Sequence, residues 1–329
     1  MSDQSLHCLW CGSSDSEALF PFSDIFGDSW LLHRCRQCEC RFLDPIPDAI
    51  QLSRAYGQDY YGEGEKKFEG IFEKVISGFR KRRAAKVSRI AGRKGRILDL
   101  GCGNGEFLLH IAQKGDFELH GIELDGNSAR RTAQHSEISL QVKPLAKGDY
   151  PENHFGVITL FHVFEHLANP AETIGIISNI LEKDGILVMS FPNIASLQAK
   201  WFKGNWLHLD PPRHLFFLPP KAFEKQMKQF GFEVKRRHWS SFEQNPFGFQ
   251  QSLLNTISPK REILFECMKG NKDYLKDVSK FRLFIHRAFF YCSFPVFVVC
   301  DAIGSLFHSN ASVLYVLQKS GEPQNISTS

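Results

Sequence analysis

The stretch Arg96-Ile-Leu-Asp99-Leu-Gly101-Cys102-Gly103-Asn104-Gly105-Glu-Phe-Leu-Leu109 decides how this chain is built. A short apolar run closes on an acid, three glycines follow at alternate positions, and apolar residues then recur at helical spacing. This reads as strand, tight turn and helix. Such a turn brings bare backbone against a ligand at a helix N-terminus. A nicotinamide-dinucleotide fingerprint would be G-x-G-x-x-G, but here the third glycine comes one residue sooner and Asp99 stands just ahead. An acid at that strand end repels a pyrophosphate and suits a cationic ligand with an amino group. The spacing therefore favours S-adenosylmethionine, a sulfonium. A second strand, ending in Gly121-Ile-Glu123, places an acid 18 residues beyond Gly105, where a carboxylate can accept both hydroxyls of a ribose.

The 329 residues suffice for one large α/β domain with a small appendage, or for two ordinary domains. With 43% hydrophobic and 23% charged residues the chain is neither disordered nor collagen-like. Forty Lys and Arg against 36 Asp and Glu leave a net charge of +4, too slight to argue nucleic-acid binding. The start, Met1 to Gly12, lacks the basic and then apolar pattern of a secretory signal, so a cytoplasmic location is expected. Nine cysteines there read as metal ligands or buried thiols. Four form two pairs, Cys8-Leu-Trp-Cys11 and Cys35-Arg-Gln-Cys38, and each spacer lets both sulfurs of a knuckle reach one ion at about 2.3 Å. A structural zinc ribbon held by these four thiolates is expected over residues 1–47, with Cys40 as a spare thiol. Two reducible thiol motifs are the alternative.

Residues 48–94 read as a tyrosine-rich linker, Tyr56 to Gly62, and a helix with an apolar stripe, Phe68, Ile71, Phe72, Val75, Ile76, Phe79, Val87 and Ile90. Between Lys74 and Arg96 the sequence carries ten Lys and Arg and no acid. Either this is a solvated face or it binds phosphate, lipid headgroups or RNA.

These pieces, with His162-Val-Phe-Glu165-His166 and Asp210-Pro-Pro-Arg-His214, resemble the class I S-adenosylmethionine-dependent methyltransferases, in particular the group with an N-terminal zinc ribbon. The resemblance implies a Rossmann-like α/β fold whose seven-stranded sheet has its last strand antiparallel. It implies cofactor contacts from Asp99, Gly101, Cys102, Gly103, Asn104, Gly105, Glu123, Leu124, Phe161 and Tyr61. In that family the glycine turn holds the methionine part, the acid after the second strand holds the ribose, and residues beside the fourth strand face the methyl group. The chain departs from the pattern at Gly156, where the family has an acid after Phe155. It also departs at Lys143, where an acid often approaches the adenine amino group.

The fourth core strand, Val157-Ile-Thr-Leu-Phe161, is an unbroken apolar run that leads straight into His162, Glu165 and His166. If that segment turns helical, its offsets put all three on one face. The loop after the fifth strand, Gly185 to Phe191, offers Trp201, Trp206, His208, Asp210, Arg213 and His214 and is expected to roof the pocket. Methyl transfer needs alignment and a proton acceptor, so His162 or His166 can serve as general base. Alternatively His162, Glu165, His166 and His214 hold a second divalent metal, as in the similar site of small-RNA 2′-O-methyltransferases and the related motif of ubiquinone-pathway O-methyltransferases. Purely structural hydrogen bonding is the third reading.

The core is expected over 95–240, a helical insertion over 241–310 between strands six and seven, strand seven over 311–319, and a disordered tail over 320–329. Ala288 to Cys300 is uncharged, but its 13 residues fall short of the roughly 20 needed to span a bilayer and Pro295 interrupts them. A buried or dimerising helix is expected, with peripheral membrane contact through 281–307 at the inner face as the alternative. The acceptor implied is an oxygen of a small-molecule, sugar or lipid-linked compound. DNA is excluded and RNA disfavoured. The rivals are an RNA methyltransferase gripping through ribbon and basic helix, and a non-catalytic scaffold that only binds the cofactor.

Overall fold

Two-residue alternation in the ribbon and helix-strand alternation beyond it give two sheets, which lie in two units of the chain. A computed structural model describes residues 6–57 and 71–321, and side chains within 71–77 are not described. Tyr61, Phe68, most of the tyrosine-rich linker and nearly all of the 320–329 tail lie outside the described residues. One unit gathers the N-terminal 70 residues, Pro192–Ala222 and His238–Val313; the other gathers Ile71–Phe191, Phe223–Arg237 and the C-terminal segment from Leu314.

The first unit holds strands β1 (Ser16–Ser23), β2 (Ser29–Cys35) and β3 (Arg41–Asp44), joined as an antiparallel meander. Asp24 ties the first turn by accepting from the Phe26 and Asp28 amides at 2.8 and 2.9 Å and from the buried Trp30 indole at 3.1 Å. Helix α1 (Ala49–Ala55) starts on a capping box between Asp48 and Gln51. The ribbon is not closed by its own residues alone. A two-residue strand, Phe216–Phe217 (β9 in chain order), pairs with β3 as the fourth strand. Phe22, Trp30, Leu32 and Leu43 of the ribbon share one apolar core with Ile194, Trp206, Leu209 and Phe217. Helices α6 (Leu197–Phe202), α8 (Asn245–Ile257), α9 (Ile263–Lys269), α10 (Lys272–Leu275) and α11 (Lys280–Leu306) complete the unit.

The helical insertion thus forms between the sixth and seventh core strands. Its last helix differs from expectation. It is 27 residues long with Pro295 inside it, and is long and apolar enough to cross a membrane, so the argument from a short segment fails. The uncharged run is only its middle. The helix extends through Lys280, Arg282 and Arg287 at one end, and one interior proline removes one hydrogen bond without ending it.

The second unit opens with α2 (Ile71–Ile90) and continues through β4 (Lys94–Leu100), α3 (Glu106–Ala112), β5 (Asp116–Glu123), α4 (Asn127–Thr132) and β6 (Ile138–Val142). After these come β7 (Phe155–Phe161), α5 (Pro170–Ile180), β8 (Leu181–Pro192), α7 (Pro220–Gln229), β10 (Phe232–His238) and β11 (Ser312–Lys319). The mixed sheet runs β10-β11-β8-β7-β4-β5-β6. Counting only its own strands along the chain, this is 6-7-5-4-1-2-3. The strand order reverses at the parallel β4–β7 pair, and ligands of open α/β sheets gather beyond the carboxyl ends of such a pair. Ala84 and Val87 of α2 pack with Ile97, Phe107, Leu108, Leu119 and Val157 in the core.

Candidate functional site

Register builds the centre of the site. Asp99 on β4 is the partner of Thr159 on β7, and the Thr159 hydroxyl donates to Asp99 Oδ1 at 2.6 Å. Asp99 is 3% exposed. Burial pushes its carboxyl up to about 7, against the pull of the Thr159 hydroxyl and the Arg83 guanidinium. Arg83, on α2, also stacks over the Phe161 ring with its Cζ 4.6 Å from the centroid. Phe161 in turn meets Phe107 edge-on at 5.0 Å.

The turn after β4 needs its glycines. Gly101, Gly103 and Gly105 have φ of 74°, 60° and 77°, the left-handed region that favours glycine. A Cβ on Gly101 would stand 2.3 Å from Val163 Cγ2, whereas one on Gly103 would meet nothing within 4 Å. The backbone thus packs tightly on one side and lies open on the other. The Gly101 and Cys102 amides both donate to Ile122 O, at 2.8 and 3.1 Å. The Gly103 amide donates to Glu123 Oε2 at 2.6 Å and the Leu124 amide to Oε1 at 2.9 Å. Burial raises the Glu123 carboxyl, while those two amides pull it back. Each carboxylate oxygen keeps a further lone pair for a hydroxyl. Thr132 of α4 locks the turn from below by donating to Gly103 O at 2.7 Å. Asn104 bonds Glu106 at the start of α3, and Glu106 pairs with Arg80. Leu124 is left exposed just past Glu123.

Beyond β7 the chain does not enter an α-helix. His162 takes a left-handed φ of 55° and its amide donates to Ser190 O of β8 at 2.9 Å. A single 3-10 turn covers Phe164–His166. The expected common helical face is therefore replaced by a tighter arrangement, in which His162 Nδ1 lies 3.2 Å from Oε1 of the buried Glu165. His166, half-buried, sits at the end of the turn and donates its amide to Val163 O at 3.0 Å. Of the expected quartet, His162, Glu165 and His166 lie on the second unit, with His162 beside Glu165, and His214 belongs to the first. There His214 Nδ1 lies 2.8 Å from His208 O and Nε2 lies 3.6 Å from Asp210 Oδ2. Asp210 also pairs with the buried Arg213, which donates to Ala55 O at 3.1 Å. Trp206, His208, Arg213 and His214 are buried in this unit, while Trp201 is exposed. Lys143 pairs with Asp149 at 2.5 Å.

Cys8, Cys11, Cys35 and Cys38 place their sulfurs within 4.8 Å of one another. Cys8–Cys38 and Cys11–Cys35 are 3.5 and 3.6 Å apart, close to the roughly 3.8 Å edge of a tetrahedron with 2.3 Å zinc–sulfur bonds. The two knuckles repeat one turn. Cys8 O accepts from the Gly12 amide and Cys35 O from the Glu39 amide, at 2.9 and 3.1 Å, and both Gly12 and Glu39 are left-handed. The donor set fits zinc. Cys40 is buried and aims its thiol at Arg41 O at 3.6 Å.

Thr159, Arg83 and Thr132 are additions that the sequence reading does not supply. A hydroxyl inside an apolar strand is the one available signal for Thr159, while Arg83 is one of many basic residues on its helix.

The profile of a family described as a methyltransferase domain matches residues 73–236, the span from α2 through β10 that carries the glycine turn, Glu123 and the His162–Glu165 pair. Residues 73–236 are a class I methyltransferase domain. The chain is 29% identical over 118 residues to a ubiquinone biosynthesis O-methyltransferase of Glaesserella parasuis, covering 33% of this chain and 49% of that protein. It is 32% identical over 78 residues to ajmaline N-methyltransferase of Rauvolfia serpentina, covering 22% and 27%. The chain spans about half the length of the ubiquinone-pathway relatives it matches. A crystal structure of coclaurine N-methyltransferase bound to N-methylheliamine and SAH has a TM-score of 0.47 and 14% identity, covering 83% of this chain and 79% of that one. The matched residues carry the turn, Glu123 and the His162–Glu165 pair; the cysteine cluster lies outside them.

Proposed function

We infer that the protein transfers a methyl group from S-adenosylmethionine to an oxygen of a small-molecule, sugar or lipid-linked acceptor. The observation that carries the reading is the Glu123–Gly103 bond beside an open glycine turn that follows the buried acid Asp99. Gly103 leaves space where a side chain would stand, Glu123 keeps lone pairs for two hydroxyls, and Asp99 with Thr159 provides an acceptor for an ammonium. Leu124 offers an apolar surface next to the ribose side. Bound there, the cofactor supplies an activated methyl group. The relatives named for an O- and an N-methyltransferase both support transfer to a heteroatom, and the first favours oxygen.

His162 is the base in this reading. A proton on Nδ1 shared with Glu165 leaves Nε2 with its lone pair, the tautomer that can take a proton from an acceptor hydroxyl. Glu165 is buried beside it and acts as a positioning residue. Two of the basic groups on α2 are engaged internally, Arg80 with Glu106 and Arg83 with Phe161, which weakens the case for that helix as an RNA grip. The four thiols are assigned a structural zinc, closed to substrate. Such a thiolate site accords with a reducing, cytoplasmic setting. Incubation with methyl-labelled cofactor and candidate acceptor extracts, followed by mass spectrometry, tests the reading. Label in a hydroxyl-derived ether supports it, and label absent from every acceptor while the cofactor still binds favours a scaffold.

A further inference from the structure

Helix α11 has two faces of opposite character. Its inner side, His286, Phe290, Ser293, Phe297 and Asp301, steps by three or four residues and is occupied by the rest of its unit. Gln250 of α8 donates to Phe290 O at 3.0 Å and to Ser293 Oγ at 2.8 Å. Asp301 accepts from Asn245 at 2.6 Å and from Ser240 at 2.7 Å. The outer side, Phe281, Phe284, Tyr291, Val299, Ile303 and Leu306, is exposed, with Phe284 at 67% and Leu306 at 76%. At helical spacing these positions form one apolar stripe about 40 Å long at ~1.5 Å per residue.

Charge tells what covers it. Asp301 is the one acid in the 27 residues of α11, and it is turned inward. The cations Lys280, Arg282 and Arg287 are all exposed and all in the first turns. A protein partner matching this face would need an unbroken apolar surface with acids at one end. An anionic bilayer supplies both, hydrocarbon for the stripe and phosphates for the cations. Trp201 on α6 is 65% exposed. Its ring lies 6.1 Å from Phe249, which in turn lies 4.8 Å from Phe297 on the inner side of α11.

We propose that α11 lies in the plane of an anionic membrane surface, with Phe284, Val299, Ile303 and Leu306 in the acyl boundary and Arg282 and Arg287 on lipid phosphates. Crossing is disfavoured by the inner face, because a spanning helix would carry its buried partners Asn245 and Gln250 into hydrocarbon. This inference stands apart from the methyl-transfer reading and needs no turnover.

The test is flotation of the purified full-length protein with vesicles of phosphatidylcholine alone and of phosphatidylcholine with phosphatidylglycerol. Wild type should float with the anionic vesicles and far less with the neutral ones. Arg282→Gln with Arg287→Gln should weaken binding about thirtyfold. Phe284→Ser with Ile303→Ser and Leu306→Ser should weaken it at least about tenfold, with unchanged circular dichroism and melting. Phe284→Leu with Ile303→Val should keep it. Wild type that fails to float with anionic vesicles, or variants that float as well as wild type, overturn the proposal. So does a wild-type dimer in sedimentation equilibrium that the triple serine variant converts to monomer while neither floats, since the face then belongs to a second copy.

Discussion

Glu123 Oε2 accepts the Gly103 amide at 2.6 Å, so the acid at the end of β5 shapes the glycine turn that we propose holds the cofactor. Removing that carboxylate strips a charge-assisted bond and the proposed diol acceptor together. Such bonds contribute roughly 1.5–3 kcal/mol each, so Glu123→Ala is expected to weaken S-adenosylhomocysteine binding about a hundredfold in calorimetry. Glu123→Gln, which keeps one acceptor oxygen, should fall between.

Asp99 gives a pH signature. Its carboxyl rises from 3.8 to about 7 on folding, mainly by burial. Below the ordinary carboxyl range both folded and unfolded chains hold the proton. Between about 4 and 7 the unfolded chain releases it first, so the stability contributed by this group falls as pH rises and levels off above about 7. Asp99→Asn abolishes that fall. Its melting temperature relative to wild type should climb across this window, even though it loses affinity for the amino-bearing cofactor.

At Gly101 the left-handed φ and the 2.3 Å approach to Val163 act together. Gly101→Ala is expected to destabilise the domain by about 1–3 kcal/mol in denaturant unfolding and to reduce S-adenosylhomocysteine affinity, because the turn must shift to admit a methyl group.

His162→Ala should lower kcat about 10²–10⁴-fold with S-adenosylhomocysteine affinity within a factor of about two. Glu165→Gln should lower kcat less and move the acidic limb of the pH–rate profile, since it orients the imidazole. Chelator at concentrations that leave the ribbon metal in place should not change the rate. Loss of rate restored by magnesium or manganese would replace the base with a metal site.

The thiol cluster predicts a metal. Protein purified under reducing conditions should contain about one zinc per chain, and Cys8→Ser or Cys35→Ser should lose it. Because Phe216–Phe217 pair with β3 and Trp206 packs on the ribbon core, these variants should also loosen the 192–222 segment, read as faster amide exchange there.

Much of this is legible in the chain. Three glycines at alternate positions after an acid dictate a left-handed turn, so Asp99 to Gly105 and Glu123 can be placed without coordinates. Paired cysteines fix the knuckles by bond length alone. Long-range pairing is not legible: a two-residue strand such as Phe216–Phe217 carries no periodicity, so nothing in the sequence announces its union with the ribbon. Arg83 is hidden among like charges, because only packing reveals which cation turns inward. The helix at Lys280–Leu306 exceeds the uncharged run within it, because its basic end continues the same backbone hydrogen bonding. Spacing alone suggests a helix for His162, but its left-handed φ and its amide bond to Ser190 place it on a turn instead.

The most direct measurement is isothermal titration of the full-length protein with S-adenosylhomocysteine and, separately, with NADH. A saturable isotherm with about one site per chain for S-adenosylhomocysteine and none for NADH is the expected result. Heat with NADH and none with S-adenosylhomocysteine would contradict the account.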